Sequence, residues 1–278
     1  MRGKTVVITG ATSGIGEIAA IRLAEQGARI VFVARDKIRA DATLEKLRRA
    51  NGAAEHSAHL ADLSLLAEMK RVAGEIAEEP RIDVLINNAG AVFSAREETR
   101  DGLERTFALN HMSYFVITNL LLPGLRPGAR IVSTASGAHR RARLDFSDLQ
   151  SRRGYSGFAV YSRSKLCNIL FTRELARRTA GSGVTANCLH PGFVATRFGD
   201  QSGGLLAIGV WAAKRLTAIS QEDGAKTIIY LASSPNAAAV SGEYFYECKI
   251  DMPSPAARNA ADAKKLWDMS VEISGVGR

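Results

Sequence analysis

Few cysteines and no long apolar run limit what this chain can be. Its 278 residues contain three cysteines, Cys167, Cys188 and Cys248, far apart along the sequence. None sits in a CxxC or Cys/His spacing, so no metal site is expected, and a reducing compartment fits. Cys167 and Cys188 lie among apolar residues and read as small core hydrophobes. The longest apolar patch, LLAIGVWAA from Leu205 to Ala213, is about half of the roughly 20 residues that a membrane-spanning helix needs. No charged region followed by an apolar one precedes the first strand-like run, KTVVITG, so no secretory leader is expected and a cytoplasmic protein is. The chain also lacks a nucleic-acid motif and any aromatic stacking platform beside its arginine clusters, at Arg140, Arg141 and Arg143 and at Arg152 and Arg153. The net charge of +9, from 37 Lys+Arg against 28 Asp+Glu, therefore reads as a solvated basic surface and not as a nucleic-acid footprint.

What is present is a regular alternation. Short, continuous, β-branched runs (TVVITG from Thr5, RIVFVA from Arg29, the segment AEHSAHLAD, IDVLINNAG, ARIVSTAS, VTANCLHPG, GEYFYE) are separated by longer stretches of helical period. These include GEIAAIRLAEQG, closed by Gly27, ADATLEKLRRANG, closed by Asn51-Gly52, and LAEMKRVAGEIAEE. One long helix is predicted over TRDGLERTFALNHMSYFVITNLLLPGL, stopping near Pro123. A helix carrying Tyr161 and Lys165 and a late helix over QEDGAKTIIYLASS complete the series. Apolar strands alternating with helices predict an α/β protein. The expected form is a single-domain, doubly wound parallel sheet of about seven strands with helices on both faces, spanning 1–278. Ligands of such sheets bind at the carboxyl ends of the strands, where the strand order reverses.

TGATSGIG, Thr9 to Gly16, sits at one such end, after a strand and opening a helix. Gly10 permits the tight turn, Gly14 lets backbone approach a phosphate, and Gly16 allows the helix to pack close to the sheet. Together with Thr12, Ser13 and Ile15 they would present free N–H groups to a pyrophosphate. A tight βα turn with no ligand remains the alternative reading of the glycines.

The TGxxxGxG spacing, with NNAG at Asn87–Gly90 and YxxxK at Tyr161, resembles the short-chain dehydrogenase/reductase family, whose fold is of the Rossmann type. ADLS at 61–64, Leu109-Asn110, the Ser136 region and HPG at 190–192 follow in that family's order. SGAHRRARLDFSDLQ, YSRSKLCNILF and CKIDMPSPAARNAADAKKLWDMS resemble its retinol dehydrogenase-like branch. The resemblance implies that Asp62 and Leu63 meet the adenine and that Asn88, Ala89 and Gly90 line the ribose side. It implies that Pro191, Gly192, Val194 and Thr196 hold the nicotinamide end. It also implies a substrate lid over about 197–216, with the apolar stretch 205–213 as pocket wall, partner contact or membrane contact, and a homodimer or homotetramer packed through the long helices. His190, before the Pro-Gly turn, reads as structural.

The second strand ends VFVARD. Ala34 stands where NAD-preferring enzymes carry a carboxylate for the ribose, and Arg35 follows it, an arrangement that suits the 2′-phosphate of NADP. A register shifted by two residues would instead bring Asp36 to the ribose.

Tyr161 and Lys165 lie four apart and share a helix face. A phenol in water has a pKa near ~10, and an ammonium beside it would lower that value. Such a tyrosine can give a proton to a carbonyl oxygen as hydride arrives, or take it back in oxidation. Ser136 is the candidate to orient the oxygen, with Ser133 as its rival on the opposite strand face. Asn110 matches the family asparagine that completes a relay to the lysine, though it could as well bond only to backbone. Ser136, Tyr161, Lys165 and Asn110 thus predict an NADP(H)-dependent oxidoreductase, with NADPH preferred over NADH. Its substrate would be an alcohol/carbonyl pair on an apolar small molecule, an aldehyde or ketone or a retinoid-like compound. The competing reading is a nucleotide-binding sensor or scaffold of the same fold.

Overall fold

The computed structural model describes residues 1–192 and 220–277. Val194, Thr196, the expected lid at 197–216 and the apolar stretch 205–213 lie outside the described residues.

Strands β1 (Thr5–Thr9), β2 (Arg29–Ala34), β3 (Ser57–Leu60), β4 (Val84–Asn87), β5 (Arg130–Thr134), β6 (Thr185–Leu189), β7 (Tyr244–Tyr246) and β8 (Lys249–Ile250) form one sheet in the order 3-2-1-4-5-6-7-8. All neighbours are parallel except the antiparallel β7–β8 pair. The eighth strand exceeds the expected seven. It has two residues, too short to register as a periodic pattern. The order reverses between β1 and β4, where Val7 pairs with Leu85.

Helices cover both faces, as expected. Side-chain alternation along the strands separates two cores. Val6 and Ile8 of β1 join Leu23 of α1 (Gly14–Glu25) and Leu47 of α2 (Lys37–Ala50). The same core takes in Ile228 of the late helix, here α7 (Gln221–Ser233). Val7 and Leu85 face the other way. They join Val72 of α3 (Leu66–Ala77), Ile117 of α5 (Ser113–Leu121) and Ile169 of α6 (Gly157–Arg178).

Two helical expectations need correction. The long helix predicted from residue 99 begins six residues later, with α4 (Arg105–Phe107), because Thr99–Gly102 forms a turn with Gly102 at φ +75°. The Glu104 carboxylate then caps the helix by accepting from Thr106 and Phe107 N–H at 2.8 and 2.7 Å. Between α4 and α5 the chain widens into a π-helical turn, Ala108–Met112, of the kind that clusters at functional sites. The second correction is an added C-terminal helix, α8 (Ala260–Ser274), capped by Asn259 and ended by Gly275 at φ +70°. It packs on α6. Trp267 stacks on Phe171 at 5.9 Å, meets Phe115 edge-on at 4.9 Å and lies under the Arg178 guanidinium at 4.3 Å. Trp267→Ala should therefore lower the unfolding free energy by about 3 kcal/mol or more, read from urea titration.

Candidate active site

The site is assembled where β1, β4 and β5 end. Gly10 (φ +71°) and Gly14 (φ +60°) adopt left-handed backbone, which bends the chain from β1 into α1. Gly16 is a packing requirement, since a Cβ there would lie 2.2 Å from the Gly10 carbonyl oxygen and 2.3 Å from Asn88 Nδ2. Ser13 occupies the cap position of α1 without a capping hydrogen bond from its side chain, and Thr12 and Ile15 flank it half-buried. The first N–H groups of α1 are thus free for an anion.

The Asn88 side chain has a structural task. Its amide donates to the carbonyls of Thr9 (3.2 Å) and Gly10 (3.1 Å), and its carbonyl accepts from Thr134 (3.2 Å). Both polar atoms of its side chain are committed to tying β1, β4 and β5 together. The Thr9 hydroxyl completes the tie by accepting from Asn88 and Ala89 N–H. Beyond it, Gly90 is exposed. A Cβ on Gly90 would sit 3.2 Å from Asn110 Oδ1 and 3.3 Å from Lys165 Nζ.

At the β2 end, Ala34 is buried and the Arg35 guanidinium is exposed, with no hydrogen bond or ion pair among the described residues. Asp36 is committed as the N-cap of α2, accepting from Arg39 N–H at 2.9 Å. Asp62 closes a turn by accepting from Ser64 N–H and hydroxyl (3.0 and 2.8 Å), and Leu63 is buried beside it. An uncommitted cation at the β2 end, the free helix start and the Gly90 face together form a donor set that fits a dinucleotide.

Ser136 lies two residues past the end of β5, capping a 3-10 turn at Gly137–Arg141 and accepting from Ala138 N–H at 3.2 Å. Its hydroxyl interacts with the Tyr161 phenol and favours the ionised form of that phenol. Ser133 is fully buried within β5 with its hydroxyl unpartnered, which removes it as a rival. Lys165 Nζ donates to the Thr134 carbonyl at 2.9 Å and lies 5.8 Å from the centre of the Tyr161 ring, on the same helix face. The same carbonyl accepts from Asn168 Nδ2 at 3.3 Å and Tyr114 O–H at 3.5 Å.

Burial dominates both titrations. It pushes the Tyr161 phenol up to about 12 against the opposing effect of Ser136, and Lys165 down to about 7. Burial thus outweighs the lowering expected from the lysine, which at neutral pH carries only about half of its charge.

Asn110 sits in the π-turn and makes no hydrogen bond to Lys165. Its carbonyl accepts from Ala91 N–H (2.9 Å), and its amide donates to the Ala91 carbonyl (3.0 Å) and the Ser164 hydroxyl (2.9 Å). Ser164 in turn donates to the Tyr161 carbonyl at 2.7 Å. Thr9, Thr134 and Ser164 are site residues that sequence reasoning passed over, although Ser164 stands inside YSRSK itself. His190 has the structural role expected. Its ring stacks on Tyr246 at 4.1 Å and accepts from Gly192 N–H at 3.2 Å, in the Pro191-Gly192 turn, where Gly192 has φ +84°. The segment between Ser136 and Tyr161 folds back on the start of α4, where the Gln150 side chain accepts from Glu104 N–H at 2.7 Å and Tyr155 donates to the Phe93 carbonyl at 3.0 Å. Of its arginines, Arg140 pairs with Asp251, and Arg153 with Asp145 and Asp148. Among the described residues no group of three or more His, Cys, Asp or Glu side chains could hold a metal.

A sequence profile described as short chain dehydrogenase matches residues 4–204. The chain belongs to the short-chain dehydrogenase family. Within this family it falls in the retinol dehydrogenase-like branch. It is 41% identical to retinol dehydrogenase 14 of Homo sapiens, over 99% of this chain and 88% of that protein. It is 38% identical to human retinol dehydrogenase 12, over 99% and 87%. A solved Mycobacterium paratuberculosis structure superposes with TM-score 0.80 at 32% identity, over 99% of this chain and 94% of that one. A Burkholderia cenocepacia short chain dehydrogenase solved with NADP superposes with TM-score 0.71 at 25% identity, over 88% and 96%. This dehydrogenase is thus an oxidoreductase with a nicotinamide-type cofactor site. No helix among its described residues is long and apolar enough to cross a membrane.

The Lys165 value generates a pH test. Its pKa in the folded protein is below the unfolded value of 10.5, so a buried ammonium costs stability below about pH 7. That cost is relieved as pH rises from about 7 towards 10.5, where the unfolded chain binds the extra proton. Urea midpoints without added cofactor should show wild type gaining on Lys165→Met across this window and running parallel to it below.

Proposed function

We propose that this chain is an NADP(H)-dependent reductase and dehydrogenase that interconverts a carbonyl and an alcohol on an apolar small molecule, within one catalytic domain spanning 1–278. The observation that carries the reading is the buried Lys165 amine, held on the Thr134 carbonyl at 2.9 Å and 5.8 Å from the centre of the Tyr161 ring, beside Gly90 and with Ser136 acting on the same phenol. The cofactor, when bound, supplies or accepts the hydride. Tyr161 holds the proton that a carbonyl oxygen takes up, and a phenol kept neutral by burial is the protonated acid that reduction requires. Ser136 orients the oxygen by hydrogen bonding. Lys165 is held by Thr134 below the Gly90 face, within reach of a ribose, and its ammonium would stabilise the phenolate that remains after the transfer. Asn110, through Ala91 and Ser164, fixes the loop and the helix that bound the site.

Preference for NADP rests on Arg35, an exposed guanidinium with no partner among the described residues, and on Asp36, whose carboxylate is committed to capping α2. NADP also accompanies the solved Burkholderia neighbour. The names of the curated relatives make retinol and retinal the first compounds to try among apolar alcohols and aldehydes. A dimer or tetramer formed through α6 would seat α8 in its interface, because Trp267 already covers Phe171 there.

Two outcomes are expected. Tyr161→Phe should lower kcat for an apolar aldehyde by about 10²-fold or more while NADPH still binds, read by turnover and by cofactor fluorescence. Survival of turnover in this variant would move the reading to a nucleotide sensor. Arg35→Glu should weaken NADPH by at least about tenfold and leave NADH nearly unchanged, read by titration with each.

A further inference from the structure

Ser136 is held from behind by a residue that no part of the reaction scheme uses. His139 is fully buried. Its Nδ1 is 2.7 Å from the Ser136 carbonyl oxygen, and its Nε2 is 3.1 Å from the backbone nitrogen of Ser254. A carbonyl can only accept and an N–H can only donate. Nδ1 must therefore carry the proton and Nε2 must lack it, so the two bonds together admit one neutral tautomer. Burial, with Arg140 alongside, keeps this imidazole from charging, against the pull of the Ser136 carbonyl and Asp251. The next residue repeats the connection, since Arg140 donates to the Met252 carbonyl at 3.0 Å and to the Asp251 carboxylate at 2.7 Å. The Tyr244 ring packs edge-on against His139 at 5.1 Å and closes the remaining side. The segment following β8 is thereby attached to the turn that Ser136 caps.

We propose that His139 is a positioning residue, bridging the Ser136 backbone to Ser254 and so fixing where the Ser136 hydroxyl meets Tyr161 and the substrate oxygen. The proposal rests on the assignment of Ser136 and Tyr161 made above. A hydroxyl carried on a turn beyond a strand end has no ladder to hold it. A second carbonyl hydrogen bond from the His139 ring, added to that of His139 N–H at 3.2 Å, supplies the restraint. Misplacement of an orienting group by about 1 Å can cost 10²-fold in rate, so a restraint of this kind is read in kcat.

The test compares wild type, His139→Phe and His139→Asn. Phenylalanine keeps a ring and loses both bonds. Asparagine places an N–H donor near the position of Nδ1 and so keeps the bond to Ser136. For an apolar aldehyde with NADPH, His139→Phe should lower kcat by about tenfold or more, with the NADPH dissociation constant within about twofold of wild type. His139→Asn should restore kcat to within about threefold. The assignment is overturned if His139→Phe keeps wild-type kcat, if Asn fails to rescue it, or if NADPH affinity falls along with kcat, which would mark a general structural role. Nitrogen NMR of the wild-type imidazole gives a readout that needs no turnover. A protonated Nδ1 with a bare Nε2 at neutral pH supports the bridge, and the opposite tautomer or a cation overturns it. Absence of carbonyl turnover in wild type, with the expected tautomer present, would instead count against the proposed reaction.

Discussion

A lysine amine buried against a single backbone carbonyl is the constraint around which this site is arranged. Lys165 is 3% exposed, and the Thr134 oxygen is its one hydrogen-bond acceptor among the described residues. Taking an amine out of water is tolerable only where that acceptor is fixed and the surroundings are shaped to it. The end of β5 provides the fixed oxygen, and Asn168 and Tyr114 converge on the same atom. Asn88 locks the β5 end to β1 and β4 through the Thr134 hydroxyl. The glycine-rich turn, the Gly90 face and the Ser136 turn all hang from strand ends that this one arrangement sets in place.

The tyrosine follows from the same constraint. A neutral phenol and an amine that is about half neutral at pH 7 are the states that burial gives this pair. The pair is therefore poised and not activated. An anionic phosphate or a charged ring brought alongside would redistribute the protons between them, and coupled groups respond to such a charge as a unit.

Much of this was legible in the sequence. The β-branched runs, the glycine spacing and the YxxxK pair each reflect a local rule, and local rules can be read one residue type at a time. What stayed hidden depends on partners far along the chain. That the Asn88 amide donates to the Thr9 and Gly10 carbonyls shows only in the folded chain. That both ends of the Asn110 amide bond to Ala91 and Ser164 likewise shows only there. The direction of the Tyr161 shift depends on burial, which spacing does not reveal. The helix at 260–274 was different, since its caps and its apolar period were present in plain view. Asn259, Leu266, Trp267 and Gly275 mark it by ordinary start, face and stop signals.

That C-terminal region has a temporal consequence. The profile that defines the family ends at residue 204, yet Ser254 reaches the turn behind Ser136, and Ser270 bonds to His111 in the same π-turn as Asn110. Synthesis runs from the amino end, so the sheet from β3 to β6, the glycine-rich turn and the tyrosine helix all emerge from the ribosome before these two serines. A nascent chain can thus have every candidate catalytic side chain outside the tunnel and still lack the contacts that align them. In this protein the contacts that align the active site form only once Ser254 and Ser270 have emerged.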